Sequence, residues 1–458
     1  MADPGSAFDV DVALSDDQEA AMELILAAMR RGERILALDG PAGTGKTTLV
    51  KVLASRAIAE GLVRRVSFVA PTGKAALRLR EKGCHGAGTI HSALYSSVRD
   101  KAIEDGPTEQ EIRTGKRTSR LDFSRPTAPC PSACLLFADE ASMIPYQSKA
   151  KGRMVPGLGQ TLEQNIPSDS FLLYVGDTAQ LPPITPGVRE SNWVPTLLRP
   201  TASLTTIHRQ AEGNPIITIA TDVRLGRGLG TFPNEGEDPR ANLWTGHWAT
   251  IDRAAMWLVS RRRNGDEATL LTWRNVTRVQ LNRAVRMQLG HNDDLCVGDH
   301  ICVRKNDKDV GLMNGEVAKL VAVHEMDPAP SAYHQQEKMS GPIKDRPPRV
   351  QNHRMFRAWL SDDRDDWVTI IPGLFEMGST DFYLYCRAYR MWGKRLIHCT
   401  YGECLTVHAS QGSEWGHTGI YIDGPMASHI QQADKGVNLY YTALTRAAEQ
   451  VHVFWAAE

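Results

Sequence analysis

Ile35-Leu36-Ala37-Leu38-Asp39-Gly40-Pro41-Ala42-Gly43-Thr44-Gly45-Lys46-Thr47-Thr48 is the stretch whose reading decides the fold. The apolar run Ile35 to Leu38 predicts a buried strand of a parallel sheet. Gly40, Gly45, Lys46 and Thr47 then fill every fixed position of G-x-x-x-x-G-K-[ST]. Glycines let consecutive backbone N–H groups curl around a polyphosphate with no Cβ in the way. A helix opening near Gly45 aims its positive end at the same charge. Lys46 is placed to reach the β and γ phosphates, and the Thr47 hydroxyl to hold a divalent cation. Leu49, Val50, Leu53, Ala57 and Ile58 recur at helical spacing, which completes a strand–loop–helix unit.

Upstream, Ser15 precedes acidic residues and the periodic Ala21, Leu24, Ile25 and Met29, a capped helix in which Gln18 reads as a solvated position. Downstream, the strand Val66 to Ala70 runs into Pro71-Thr72-Gly73-Lys74, a strand-to-helix corner of the kind that binds ligands in open α/β sheets. Thr89-Ile90-His91 follows. Residues 94–133 carry scattered Arg and Lys with Gly, Pro, Ser and Thr, and read either as a protruding hairpin or as a solvated loop. Ala133 to Ala138 is an apolar strand ending in Asp139-Glu140. Opposite a phosphate loop, one carboxylate can order a cation shell and the other can orient or deprotonate water. The strand Phe171 to Val175 ends in a further polar turn, Gly176-Asp177-Thr178-Ala179-Gln180-Leu181-Pro182-Pro183.

A second α/β pattern opens at Ala268 to Thr272, with Asn275 expected to cap the next helix. Residues 300–395 break the alternation and read as a mostly-β insertion, with Trp367 to Ile371 and Phe382 to Tyr385 as strands. Its aromatic and Arg residues fit either base stacking or a small barrel's core. The end returns to α/β: a strand at Glu403 to Val407, the run His408 to Trp415, a strand at Gly419 to Ile422, a helix from Asn438 to about Glu449, and a strand at Val451 to Trp455.

A chain of 458 residues suggests several domains, and 42% hydrophobic with 23% charged residues is an ordinary globular composition. Lys+Arg and Asp+Glu both number 53, so a nucleic-acid partner cannot be argued from net charge. No apolar run approaches a membrane span, and the N-terminus lacks the pattern of a secretory leader. Eight cysteines without framework spacing are expected to be free thiols. The expected compartment is the cytosol, bacterial or of a phage-infected host.

Gly40 to Thr48, Ala70 to Ala76, Asp139 to Ser142, Gly176 to Pro183, Arg209-Gln210, Thr406 to Glu414 and Tyr441 to Ala447 together resemble the ordered motifs of superfamily 1 helicases. The wording of Gly176 to Pro183, Val407 to Glu414 and Tyr441 to Ala447 is most similar to the RecD-like branch, which includes the phage Dda helicases. The resemblance implies two RecA-like P-loop NTPase domains of α/β class, with a small hairpin insertion in the first and a small β-barrel insertion in the second. It implies domain 1 at 1–93 and 134–200, a strand-separating hairpin at 94–133, domain 2 at 201–299 and 396–458, and the β-rich insertion at 300–395. It further implies ATP and Mg²⁺ as cofactors and 5′-to-3′ movement of a monomer on single-stranded and forked DNA, alongside replication or recombination proteins.

Carried onto this sequence, ATP falls to Gly40, Pro41, Ala42, Gly43, Thr44, Gly45, Lys46, Thr47 and Thr48, with Gln18 on adenine and Glu414 near the ribose. Mg²⁺ falls to Thr47 and Asp139. Catalysis falls to Lys46, Asp139, Glu140, Gln180 and the arginine fingers Arg209 and Arg446. The DNA track falls to Pro71, Thr72, Lys74, Thr89, His91, Thr406 and His408. Thr178 stands where proline is frequent, and Ala409 where lysine is frequent. A translocase that displaces bound proteins, or the motor subunit of a RecD-containing nuclease complex, would carry the same motifs. No nuclease-like carboxylate cluster stands out beside them.

Overall fold

The computed structural model describes residues 13–95, 126–150, 153–183, 193–206, 214–233, 237–291, 295–305, 307, 310–326, 354–360, 367–378, 381–382, 385–386, 395–432 and 436–457. The chain divides into two compact units, Met1–Glu212 and Gly213–Glu458.

In the first unit the described elements are α1 (Asp16–Arg30), β1 (Ile35–Asp39), α2 (Lys46–Ala59), β2 (Arg65–Ala70), α3 (Gly73–Glu81), β3 (Gly88–Thr89), α4 (Ile90–Leu94), β4 (Cys134–Ala138), β5 (Gln147–Ala150), β6 (Arg153–Pro156), α5 (Leu158–Asn165), β7 (Phe171–Gly176), α6 (Pro195–Leu198) and β8 (Ala202–Ser203). Six of the strands form a parallel sheet in the order β3-β2-β4-β7-β1-β8. Its strands are apolar on both faces because both faces are covered. Leu36 and Leu38 pack with α1, α2 and α3, whereas Ala37, one residue out of phase, packs on the other face with α4, α5 and α6. Ser15 caps α1 in a reciprocal capping box with Gln18.

The domain boundary expected at residue 200 falls later. β8 pairs in register with β1, Leu38 opposite Ala202, so this segment belongs to the first sheet. The expected hairpin at 94–133 lies mostly outside the described residues; a separate two-stranded hairpin, β5 with β6, follows Asp139-Glu140.

The second unit comprises α7 (Pro215–Arg224), β9 (Ala241–Thr245), α8 (Ile251–Arg263), β10 (Ala268–Thr272), α9 (Asn275–Gln288), β11 (His300–Val303), β12 (Val317–Met326), β13 (Met355–Leu360), β14 (Trp367–Ile370), β15 (Cys399–Tyr401), β16 (Cys404–Thr406), β17 (Trp415–Ile422), α10 (Gly424–Ile430), α11 (Gly436–Leu444) and β18 (Ala447–Trp455). A parallel sheet runs β16-β10-β17-β18-β9, and an antiparallel one runs β14-β13-β12-β11-β15. The antiparallel sheet curls toward closure: Thr369 of β14 donates to Arg395 O and accepts from Ile397 N, just before β15.

Four expectations are corrected here. β15 pairs antiparallel with β11, so the insertion extends past 395 to Tyr401. The segment read as a strand at 382–385 is helical at Asp381, Phe382, Tyr385 and Cys386. Phe382, Tyr385 and Cys386 share one buried cluster, a 3.6-residue period masked by aromatic β-propensity. The last helix stops at Leu444 and β18 starts at Ala447, so Arg446 sits in the turn between them. The cap of α9 is Arg274 rather than Asn275.

A buried polar network fastens the antiparallel sheet to the parallel one. Glu403, fully buried, accepts from His300 N at 2.7 Å and pairs with Arg262 of α8. Arg278 of α9 pairs with Glu376 and donates to Thr400 Oγ1 at 3.2 Å. Against the cost of burial, the His300 hydrogen bond and the Arg262 charge hold the Glu403 carboxyl down at about 2. Burial against Trp257 pushes His452 of β18 down to about 4.

Both groups bind a proton more readily once unfolded. Stability is therefore complete above about pH 6.5 and falls on acidification, first through His452 and then below about pH 4.5 through Glu403. Linkage puts each loss at about 3 kcal/mol. We expect His452→Leu to flatten the profile between pH 6.5 and 4, and Glu403→Gln to lower the midpoint at pH 7, both read by urea unfolding. An unfolding midpoint in His452→Leu as acid-sensitive as the wild type over that range would contradict the assignment.

Candidate nucleotide site and nucleic-acid face

The phosphate loop joins β1 to α2. Gly43 and Gly45 both have positive φ, 86° and 73°, a region that favours glycine. The Lys46 ammonium folds back over the loop, donating to Gly40 O at 2.7 Å and Pro41 O at 2.8 Å. Burial lowers its proton affinity, while Asp177, Glu140, Asp139 and Asp39 act the other way. These carboxylates come from three strands. Asp39 ends β1, Asp177 follows β7, and Asp139-Glu140 follow β4. β7 lies between β1 and β4, so all three carboxyl ends open at one sheet edge.

Asp139 is pushed up to about 6 by burial and by Glu140 beside it. The adjacent carboxylates and, in the first turn of α2, the Thr47 hydroxyl are hard-oxygen donors of the type that suits a divalent cation. Glu140 adopts φ 50°, left-handed backbone that a non-glycine residue rarely takes and that clusters at functional sites. Gln180 is buried in the β7 turn, its N–H donating to Asp177 O at 3.1 Å.

Gln18 is buried rather than solvated. Its Oε1 accepts from Ser15 N at 3.1 Å and its Nε2 donates to Thr44 O at 3.0 Å, so the side chain braces the phosphate loop. Arg446, also buried, donates to Thr442 O, Ser413 O and Thr445 Oγ1, each at 3.0 Å. Glu414 is half-buried one residue beyond Ser413. Arg209 lies outside the described residues.

Asp39 is a site residue that the motif reading passed over. It is buried, its Oδ1 accepts from Thr178 N at 2.8 Å and its Oδ2 from Thr178 Oγ1 at 3.2 Å. The departure from proline at 178 thus has a structural counterpart. A proline lacks both donors. We expect Thr178→Pro to cost about 1–3 kcal/mol of stability, and less in an Asp39→Ala background, by urea unfolding. Equal costs in both backgrounds would remove the coupling.

The expected DNA-track residues gather at two sheet edges, one in each unit. In the first, Ala70 pairs with Thr89, which brings Pro71, Thr72 and Lys74 beside His91. In the second, Thr272 pairs with Thr406, followed by His408. Thr72, Thr89 and Thr406 each accept a backbone N–H three residues on, from Ala75, Ser92 and Ala409. The threonine oxygens therefore shape the turn that follows each strand.

One further group of metal-ligating types, His291, Cys296 and Asp299, occurs among the described residues. Its carboxylate is held by Arg286 at 2.9 Å and 3.2 Å and by Cys296 N at 2.8 Å, so it is a buried ion pair.

A phosphate loop and a carboxylate pair separated by one strand, with a second parallel sheet in the other unit, define a RecA-like P-loop architecture. Residues 13–233 match the AAA domain family, and residues 401–454 match the UvrD-like helicase C-terminal domain. Over 456 residues the chain is 29% identical to the ATP-dependent RecD2 DNA helicase of Deinococcus radiodurans, covering 95% of this chain and 48% of that protein. It is 27% identical over 299 residues to the ATP-dependent DNA helicase dda of Enterobacteria phage T4, covering 64% of this chain and 61% of that one. The chain therefore spans about half the length of the first relative and under two thirds of the second. The solved structure of Pif1 helicase from Bacteroides with ADP-AlF3 and single-stranded DNA aligns over 97% of this chain and 92% of its own, at 16% identity and TM-score 0.47. The chain is thus similar to the superfamily 1 helicases, in the RecD and Dda group.

Proposed function

We propose that this chain is an ATP-driven motor that moves 5′ to 3′ along single-stranded DNA and opens forked duplexes. The observation that carries it is the single sheet edge where Lys46 sits among Asp39, Asp139, Glu140 and Asp177, beside the phosphate loop. ATP is the substrate this edge fits. Lys46 releases Gly40 O and Pro41 O and takes the β and γ phosphates, with the loop N–H groups around them. Thr47 and Asp139 would hold Mg²⁺, which when bound shields the phosphate oxygens. Glu140 orients the attacking water and accepts its proton. Gln180 reads the γ-phosphate, Arg209 and Arg446 stabilise charge developing on the transferred group, and Gln18 and Glu414 line the nucleoside.

Pro71, Thr72, Lys74, Thr89, His91, Thr406 and His408 hold the DNA backbone. The segment 94–133 serves as the strand-separating pin, and 300–401 is a barrel-like insertion. The eight cysteines are all free, and the cytosol is the compartment proposed for the chain. Among the described residues no helix is long and apolar enough to cross a membrane. The motor works as a monomer beside replication or recombination proteins.

ATP turnover measured with and without single-stranded DNA tests the reading. Turnover that rises with DNA and requires Mg²⁺ supports it. Turnover indifferent to any nucleic acid overturns it.

A further inference from the structure

Trp273 and His429 stack face to face at the carboxyl edge of the second parallel sheet, with ring centroids 4.5 Å apart and planes 14° from parallel. Neither ring is explained by the hydrophobic core around β10, and both are half-buried, so the pair borders solvent. Trp273 is the first residue after β10, whose Thr272 pairs with Thr406 and accepts Val407 N at 2.9 Å. The indole therefore emerges one residue from the strand pair that carries Thr406 and His408. His429 lies on α10, which follows β17, the other neighbour of β10. Burial lowers the proton affinity of His408, and the charge of His429 lowers it further.

The platform is held in place. Arg274, next to Trp273, donates to Asp423 Oδ2 at 2.9 Å, and Asp423 caps α10 by accepting Met426 N at 3.0 Å. The anchoring Thr277–Asp423 hydrogen bond adds a second tie from α9. A rigid, partly exposed aromatic stack beside hydroxyl and backbone phosphate ligands is what a single-strand groove uses to hold a base without reading its identity.

We propose that Trp273 and His429 form a base-stacking platform, on which one nucleobase of the bound single strand extends the existing stack. The inference rests on the proposed action on single-stranded DNA and adds the place in the second unit where a base, rather than the phosphate chain, is gripped.

The test compares a fluorescent oligo-dT strand with an all-abasic strand of equal length at one salt concentration, on wild type, Trp273→Ala, Trp273→Phe and His429→Ala. The wild type is expected to bind oligo-dT about tenfold more tightly than the abasic strand. Trp273→Ala should lose most of that preference while its affinity for the abasic strand and its DNA-free ATP turnover stay unchanged, and Trp273→Phe should keep it. His429→Ala should lose part of it, and does so even if Trp273→Ala fails to fold. Base preference unchanged in Trp273→Ala, or in His429→Ala where only that variant folds, overturns the platform while leaving the motor intact. A wild type that binds neither strand overturns the DNA reading and the platform with it.

Discussion

Lys46→Ala is expected to lower ATP turnover by at least about 10³-fold and to abolish any movement on DNA. The ammonium is the positive charge at an edge that holds Asp39, Asp139, Glu140 and Asp177. Removing it does two things. It deletes the group that neutralises the β and γ phosphates, and it leaves four neighbouring carboxylates with less to balance them before the triphosphate, itself an anion, arrives. Both effects act in one direction, so nucleotide affinity falls together with turnover. The loss of the bonds to Gly40 O and Pro41 O also loosens the loop. Turnover by steady-state phosphate release and binding of a fluorescent ATP analogue separate the two. Hydrolysis at the wild-type rate would sink the site assignment.

Glu140→Gln is expected to behave differently. Turnover falls by about 10²–10⁴-fold, the contribution of a positioned general base, while ATP still binds. Gln keeps the size of the side chain and relieves the repulsion that raises Asp139, so the affinity for nucleotide stays level or improves. The backbone reinforces this assignment. At φ 50° Glu140 occupies a conformation that costs a non-glycine residue energy, and the surrounding fold holds it there. Wild-type turnover in Glu140→Gln would move the base elsewhere, and loss of binding in place of loss of turnover would make Glu140 a structural residue.

Much of this was legible in the sequence because the signals are local. An apolar run followed by a glycine loop forces a strand, a turn and a helix start, and Ile35 to Thr48 folds that way. Asp139-Glu140 and Asp177 to Gln180 were readable for the same reason: each polar turn directly follows an apolar strand. What could not be read depends on strand order. The tie between Asp39 and Thr178 joins residues 139 positions apart and exists because β1 and β7 are neighbours. The pairing of Trp273 with His429 needs β10 beside β17. Leu439, Tyr440, Ala443 and Leu444 are buried on a helix that ends at Leu444, two residues before Arg446, and period alone does not show where a helix yields to a strand. Phe382 and Tyr385 misled in the opposite sense, since aromatic residues favour strands until burial on one helical face decides otherwise.

The most direct test of the motor reading is strand release from two partial duplexes, one with a 5′ single-stranded tail and one with a 3′ tail, in ATP and Mg²⁺. The account predicts release from the 5′-tailed substrate alone, and none with Lys46→Ala. Release only from the 3′-tailed substrate would contradict the polarity, and release from neither, with DNA-stimulated ATP turnover intact, would contradict unwinding and leave a translocase.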